Sequence, residues 1–402
     1  MYSSIIPMED RHKIYRARQN RLREIMLLQQ IPTLLVTDPI HIRYATGARN
    51  MQIWSSRESS RFLLLLAEGP TFLFEYPGYE HLAAGLPTLD QIFTGQAIPY
   101  AGPGIDPLPD ARKWGSLISE LIYKHSGRGS LIAVDRLPYP AIDVLRANGF
   151  LLTSADVIMG ISRSIKMSEE IPAIRLSMDA VEEAVLKMEN LIKPGMTENQ
   201  IWANFHHGLI ERDAEYVTTR LLVGGERSYP YFRECGEYFV TEGNLITFDT
   251  DAIGVDGYSV DFSRTFLCGN SPAKLWQKQL YRLAYDQLQH NVGLFINGTS
   301  FEEIVRKAWP VPEQYQSTSY YVIAHGIGMS GEYPAIPHSF NPNARIPQGN
   351  LNPGMTLCVE SYIGSSDHQQ GVKLEEHILI TENTPEILSK YNYDERLLVQ
   401  YH

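Results

Sequence analysis

The sequence predicts an α+β protein in two parts: an α/β domain over residues 1–165 and a second, α+β domain over 166–402. Three observations predict it. The first part alternates strand-like and helix-like patterns, as a mixed sheet layered with helices does. The second part groups its patterns instead, with strand runs over 217–268, helices over about 272–308 and strands again over 319–381. A long helical stretch opens the second part near Ser168, and neither a repeat nor a low-complexity tract interrupts the chain.

The elements follow in order. Asp10 to Gln30 reads as a basic amphipathic helix, with Ile14, Leu22, Ile25 and Leu28 spaced for one face. A short strand, Thr33 to Thr37, follows Pro32, and DPIHIRYATG reads as turn, helix, turn. RFLLLLAEGPTFLFEYP reads as two buried strands joined at Glu68–Gly69–Pro70. LIAVD (131–135) and FLLTSADV (150–157) read as strands flanking a helix over Tyr139 to Asn148. A helix from Ser168 to about Leu191 closes at Lys193–Pro194–Gly195, and Thr197 to Gln200 forms a capping box for the next.

The 402-residue chain is 44% apolar and 20% charged, an ordinary globular composition. Its net charge of −11 carries no basic stripe, which argues against nucleic acid and anionic membrane surfaces as partners. The longest apolar run, Phe62 to Ala67, is far short of a membrane span, and MYSSIIPMEDRHKIYRARQN lacks a signal-like apolar core, so the expected location is the cytoplasm. Cys235, Cys268 and Cys358 are too few and scattered for a disulfide framework or a thiolate metal site, and read as small buried residues.

The chemistry sits in LITFDTDAIGVDGYSVDFSRTFLCG (245–269). Two β-rich runs flank Asp256–Gly257, a strong hairpin signal. Folding the ribbon there sets Asp251 opposite Asp261, and Asp249 projects to the same face. Like charges facing each other across strands are destabilising unless a cation lies between them. In MTLCVESYIGSSDHQQGVKLEEHILIT (355–381), a polar turn near 366–369 sets Glu360 against Glu375 in the same way. His325 follows an apolar run and precedes two glycines, which reads as a loop able to bring an imidazole to a metal. Any one of these alone is ordinarily a solvated face or a core histidine. Two carboxylate pairs and one imidazole together suit two adjacent divalent cations able to hold a substrate oxygen and a bridging water or hydroxide. Iron, manganese, cobalt and zinc all fit such a donor set.

These residues resemble the creatinase/prolidase family, the pita-bread metalloenzymes. IKMSEEIPAIRLSMDAVEEA and LIKPGMTENQIW look like its entry helices; DGYSVDFSRTF, HGIG, NPGMTLCVE and GVKLEEHILIT look like its metal-ligand blocks, in order. The resemblance implies a C-terminal pita-bread fold behind a creatinase-like N-terminal domain, a homodimer, and metal ligation by Asp251, Asp261, His325, Glu360 and Glu375. Three imidazoles expected of the peptidases are missing: Tyr321 and Glu332 stand where two belong, GGERSYPYFRECG offers no third, and His338 is out of place. The chain is more similar to the family's dimethylsulfoniopropionate lyase branch, by FDTD, RYATGARNMQIW, GGERSYPYFRECG and LCVE.

That likeness implies a small carboxylate-bearing zwitterion as substrate, with cleavage of a C–S or C–N bond. It adds Asp249 as a further metal ligand and names Tyr320, Glu332 and Asp249 as candidates for the proton transfer. In the branch a catalytic Asp lies six residues after the metal His, where this chain has Gly331. Trp54, Tyr229, Tyr231 and Phe232 could face an onium group. The alternative activity is that of an Xaa-Pro dipeptidase or aminopeptidase P.

Overall fold

The computed structural model describes residues 6–58, 61–94, 104–126 and 130–398. The chain divides into two compact units, one over Ile6–Arg163 and one from Ser164 on.

The first unit is built on a six-stranded mixed sheet in the order Gln91–Thr94, Thr71–Glu75, Phe62–Leu66, Thr33–Val36, Leu131–Val134, Leu151–Ser154. Thr33–Val36 runs antiparallel to Phe62–Leu66 and parallel to Leu131–Val134. Its central strands are apolar on both faces because helices cover them. Phe62, Phe74, Trp114, Ile118 and Ile122 share one core. Asp38 caps the helix Pro39–Thr46 by accepting from Ile40 and His41 N–H. Gly47 ends that helix at φ 81°, and a Cβ there would lie 2.3 Å from the Tyr15 ring.

Two features of this unit differ from the sequence reading. The helix Leu108–Ser126, which supplies Trp114 and Ile118, was not apparent. The strand expected over 150–157 stops at Ser154, and Ala155–Ser164 is a helix with Ile158, Met159 and Ser162 buried. The helical spacing of its buried positions, Ala155, Ile158, Met159 and Ser162, decides the second half of that stretch.

The second unit opens with the helices Ile171–Leu191 and Glu198–Glu211, the latter started by the Thr197/Gln200 capping box. Leu245–Asp249 then lies between Leu222–Gly224 and Ser263–Leu267 in a three-stranded sheet. A second sheet follows the order Gly331–Pro337, Val322–Ile327, Thr356–Ser365, Gln370–Leu379, Glu386–Ile387. The helix Leu275–Val292 packs Leu280, Ala284 and Leu288 into the same core as Leu357, Val359, Ile363, Val372, Leu374 and Ile378. Strand pleating therefore sends the intervening residues, Cys358, Glu360, Lys373, Glu375 and His377, to the opposite face. That face is where the polar chemistry collects.

Candidate metal centre

Two ribbons and one strand build the site. In the first ribbon, Asp256 (φ 56°) and Gly257 (φ 83°) occupy the two central turn positions, as a hairpin of this twist requires. Asp249 pairs with Ser263 and Ala252 with Val260, so Asp251 and Asp261 fall opposite each other. Asp251 interrupts the ladder at φ 38°, a conformation aspartate tolerates better than most residues. Its backbone carbonyl accepts from Thr218 N–H at 2.9 Å, and its carboxylate from the Thr219 hydroxyl. In the second ribbon Glu360 pairs directly with Glu375. His325 lies within the strand Val322–Ile327, opposite Cys358, and not in the loop its glycines suggested. The ladder is bulged between His325 and Gly326, which is what the glycine accommodates.

The side chains meet. His325 Nε2 lies 3.3 Å from Glu360 Oε1, 3.5 Å from Asp261 Oδ2 and 3.8 Å from Glu375 Oε1. Asp249 Oδ2 accepts from the Tyr231 hydroxyl at 2.6 Å, and Glu375 Oε2 from the Ser263 hydroxyl at 2.6 Å. A residue the sequence reading missed binds them together. Lys373, fully buried, places its Nζ 2.8 Å from Glu360 Oε2, 2.8 Å from Glu375 Oε2, 2.9 Å from Ser263 Oγ and 3.5 Å from Asp249 Oδ2. Its position two residues before Glu375, on the same face, was the available signal.

Four of the five carboxylates keep one oxygen out of the hydrogen-bond network, although Glu360 Oε1 and Glu375 Oε1 face the His325 imidazole at 3.3 and 3.8 Å. Asp249 Oδ1, Asp261 Oδ1, Glu360 Oε1 and Glu375 Oε1 are buried with no hydrogen-bond partner among the described residues. Native proteins rarely leave such atoms unpaired: the oxygens of Asp261, Glu360 and Glu375 suit a cation, and that of Asp249 is left available beside them. The residues present thus fit divalent metal. Asp261, His325, Cys358 and Glu375 each offer a ligand atom within 4.8 Å of the others.

Protonation follows the same crowding. Burial, then the Asp249 charge, pushes the Asp251 carboxyl up to about 7. Burial and Glu375 push Glu360 up to about 8. Burial, then Glu375, Asp249 and Asp251, holds Asp261 well above the carboxylate range. Burial also raises Asp249, but Lys373 and hydrogen bonds from Asp261, Tyr231 and Ser263 outweigh it and leave it below the usual value. Burial disfavours the charges of His325 and Lys373, yet the surrounding carboxylates raise both above their ordinary values.

An aromatic wall stands beside the carboxylates. Tyr231 and Phe232 have ring centroids 4.7 Å apart, Phe232 and Tyr320 5.2 Å, and Tyr231 and Tyr362 5.2 Å. The Lys373 ammonium lies 5.2 Å from the Tyr320 centroid and 5.6 Å from that of Tyr231. Burial and Glu360 hold the Tyr320 hydroxyl protonated. Phe232 is 54% exposed. Trp54 belongs to the first unit, where it packs on Tyr76.

Glu332 is differently placed from an open base. Its Oε2 accepts from Lys166 Nζ at 2.6 Å, its Oε1 from Met329 N–H at 3.2 Å, and both side chains of the ion pair are 2% exposed. Gly331 has open space where a Cβ would go. His338 is buried against Phe340, and burial lowers it to about 4.

The sequence profile of metallopeptidase family M24 matches residues 172–382, and that of the creatinase/prolidase N-terminal domain matches residues 18–136. The chain belongs to metallopeptidase family M24. A dimethylsulfoniopropionate lyase, DddP, of Roseovarius nubinhibens is 30% identical over 98% of this chain and 89% of its own length. The Xaa-Pro dipeptidase of Pyrococcus furiosus is 25% identical over 58% of this chain and 65% of its own. Among solved structures, an Xaa-Pro dipeptidase from Bacillus anthracis superposes with a TM-score of 0.75 at 18% identity, covering 94% of this chain and 99% of that one. An X-Pro aminopeptidase from Thermotoga maritima gives 0.74 at 18% identity, covering 94% and 98%. The fold is therefore the M24 pita-bread fold behind a creatinase-type N-terminal domain, and the chain lies near the family's lyase branch. M24 enzymes use divalent metals. No helix among the described residues is long and apolar enough to cross a membrane.

Proposed function

We propose that the protein is a dinuclear metal-dependent lyase acting on a small zwitterionic carboxylate, with an onium group on the carbon β to the carboxylate. Dimethylsulfoniopropionate is the first candidate, and a C–N analogue the second. The observation that carries this reading is the set of buried, unpartnered carboxylate oxygens beside rings whose faces already accept the Lys373 ammonium. Near-full-length similarity to a dimethylsulfoniopropionate lyase supports it.

Asp251, Asp261, His325, Glu360 and Glu375 would hold two divalent ions, with Asp249 beside them. Bound there, the ions supply Lewis acidity toward a substrate carboxylate and acidify the adjacent C–H. The chain's own groups do the rest. Tyr231, Phe232 and Tyr320 present ring faces to the onium group. Asp249 Oδ1 takes the proton from the carbon next to the carboxylate; the C–H pair forms the double bond, and the C–S pair leaves with the neutral sulfide. Lys373 and Tyr231 fix the other oxygen of Asp249, which aims the free one. The Tyr320 hydroxyl, kept protonated, acts as a hydrogen-bond donor and not as the base. Glu332 acts as an anchored counter-charge to Lys166.

The experiment is acrylate release from dimethylsulfoniopropionate by purified, metal-loaded protein, beside its Asp249→Asn variant. Release by the native protein and loss in the variant with metal retained is the expected result. Inertness toward every β-onium carboxylate overturns the reading. The fold shared with Xaa-Pro dipeptidases favours a second reading, hydrolysis of a dipeptide. Turnover of an Xaa-Pro dipeptide panel establishes it, and inertness removes it.

A further inference from the structure

Cys358 is unused by the chemistry above, yet its surroundings are those of a donor atom. We propose that the Cys358 sulfur is a ligand of the ion held by Asp261, His325 and Glu375, giving this centre one soft donor among its oxygen and nitrogen ligands. The inference rests on the metal-centre reading of the preceding section.

Three observations carry it. Cys358 Sγ and one ligand atom from each of Asp261, His325 and Glu375 lie within 4.8 Å of one another. Ligand bonds of about 2.3 Å to sulfur and about 2.0–2.2 Å to oxygen or nitrogen place the four donors of one tetrahedral ion about 3.5 Å apart. His325 Nε2 is already 3.5 Å from Asp261 Oδ2 and 3.8 Å from Glu375 Oε1, and side-chain movements of up to about an ångström seat one ion among all four. The strand fixes the direction: Cys358 precedes Glu360 by two residues, shares its face, and pairs opposite His325 on one side and His377 on the other. Finally, Asp261 Oδ1 and Glu375 Oε1, in the same group, are buried and unpartnered.

The thiol is itself fully buried and donates to the Asp261 backbone carbonyl at 3.4 Å. Without an ion, burial and the nearby carboxylates keep it protonated. A bound dication reverses the local field. The S–H bond then breaks, the metal–sulfur bond forms, and the proton leaves to solvent. A sulfur donor biases the site toward cobalt, zinc or ferrous iron over manganese.

Cobalt(II) tests this directly, because sulfur ligation produces an intense near-ultraviolet charge-transfer band that oxygen and nitrogen donors do not. The full-length protein loaded with cobalt should show the band. The Cys235→Ser/Cys268→Ser double variant should keep it. Cys358→Ser should bind cobalt without it, with preference for cobalt over manganese reduced about tenfold or more. Bound cobalt with visible ligand-field bands but no charge-transfer band in the native protein overturns the proposal, as does a band surviving in Cys358→Ser. Should Cys358→Ser fail to fold, the native and double-variant spectra decide the matter between them. A native protein that binds no cobalt sinks the metal-centre reading along with the proposal, which separates that failure from a merely sulfur-free site.

Discussion

Replacing Lys373 with methionine should separate the metal-free protein from the metal-loaded one. Methionine keeps most of the volume and removes the charge. In the native chain the ammonium is buried, with Glu360 and Glu375 oxygens at 2.8 Å and Asp249 at 3.5 Å. Removing one partner of a buried ionic group leaves the others uncompensated and costs about 3–5 kcal/mol. For a domain of this size that lowers the melting temperature by roughly 6–20 °C.

Proton uptake offsets part of the loss at low pH, since Glu360 titrates at about 8 and Asp251 at about 7. The full effect therefore belongs on the alkaline side of the Glu360 titration. The assay is thermal unfolding of chelator-treated native and Lys373→Met proteins across pH, repeated with saturating metal, whose charge should recover part of the stability. A loss below about 1 kcal/mol in the metal-free protein at high pH, the value of an exposed pair, would refute the reasoning.

Three further outcomes follow. Asp261→Ala, which removes a ligand whose Oδ1 is unpartnered, should reduce bound metal and acrylate release together to background, read by elemental analysis and product assay. The metal-free protein should lose stability as pH rises from about 6.5 to about 8, above the range in which the buried imidazoles of His338 and His377, lowered to about 4 and about 3, oppose the trend. Asp251 and Glu360 have folded values of about 7 and 8 against ordinary values of 3.8 and 4.5, so the folded state binds more protons than the unfolded one across that window. Chemical denaturation at a series of pH values measures the slope, and a flat or rising profile contradicts it. Gly331→Asp should fold normally, because a Cβ there meets open space, and should raise acrylate release about tenfold or more if it supplies a second base.

Much of this site was legible because β-ribbons convert spacing into geometry. Asp256–Gly257 sets a tight turn, so Asp249 falls on Ser263 and Asp251 comes to face Asp261. Glu360 meets Glu375 for the same reason. The side-chain period of two also placed Lys373 and Cys358 on the inward face, but a lysine two residues from a glutamate reads as a surface pair, and a lone cysteine as packing. What the local pattern does not encode is long-range pairing. Lys166 reaches Glu332 across the fold, and nothing near Glu332 in the chain announces that its carboxylate is already engaged. His325 was misplaced because Gly326 and Gly328 suggested a loop, whereas Gly326 allows a bulge within a strand and lies 2.5 Å, from its would-be Cβ, to the Tyr333 carbonyl. The helix Leu108–Ser126 went unread although its buried face, Ala111, Trp114, Ile118 and Ile122, is regular.

The convergence of both ribbons on paired dications is tested most directly by anomalous scattering from crystals grown with metal. Two peaks about 3.5–4 Å apart, among Asp251, Asp261, His325, Glu360 and Glu375, are what the account requires. Fully loaded protein with no anomalous peak among these five side chains would contradict it.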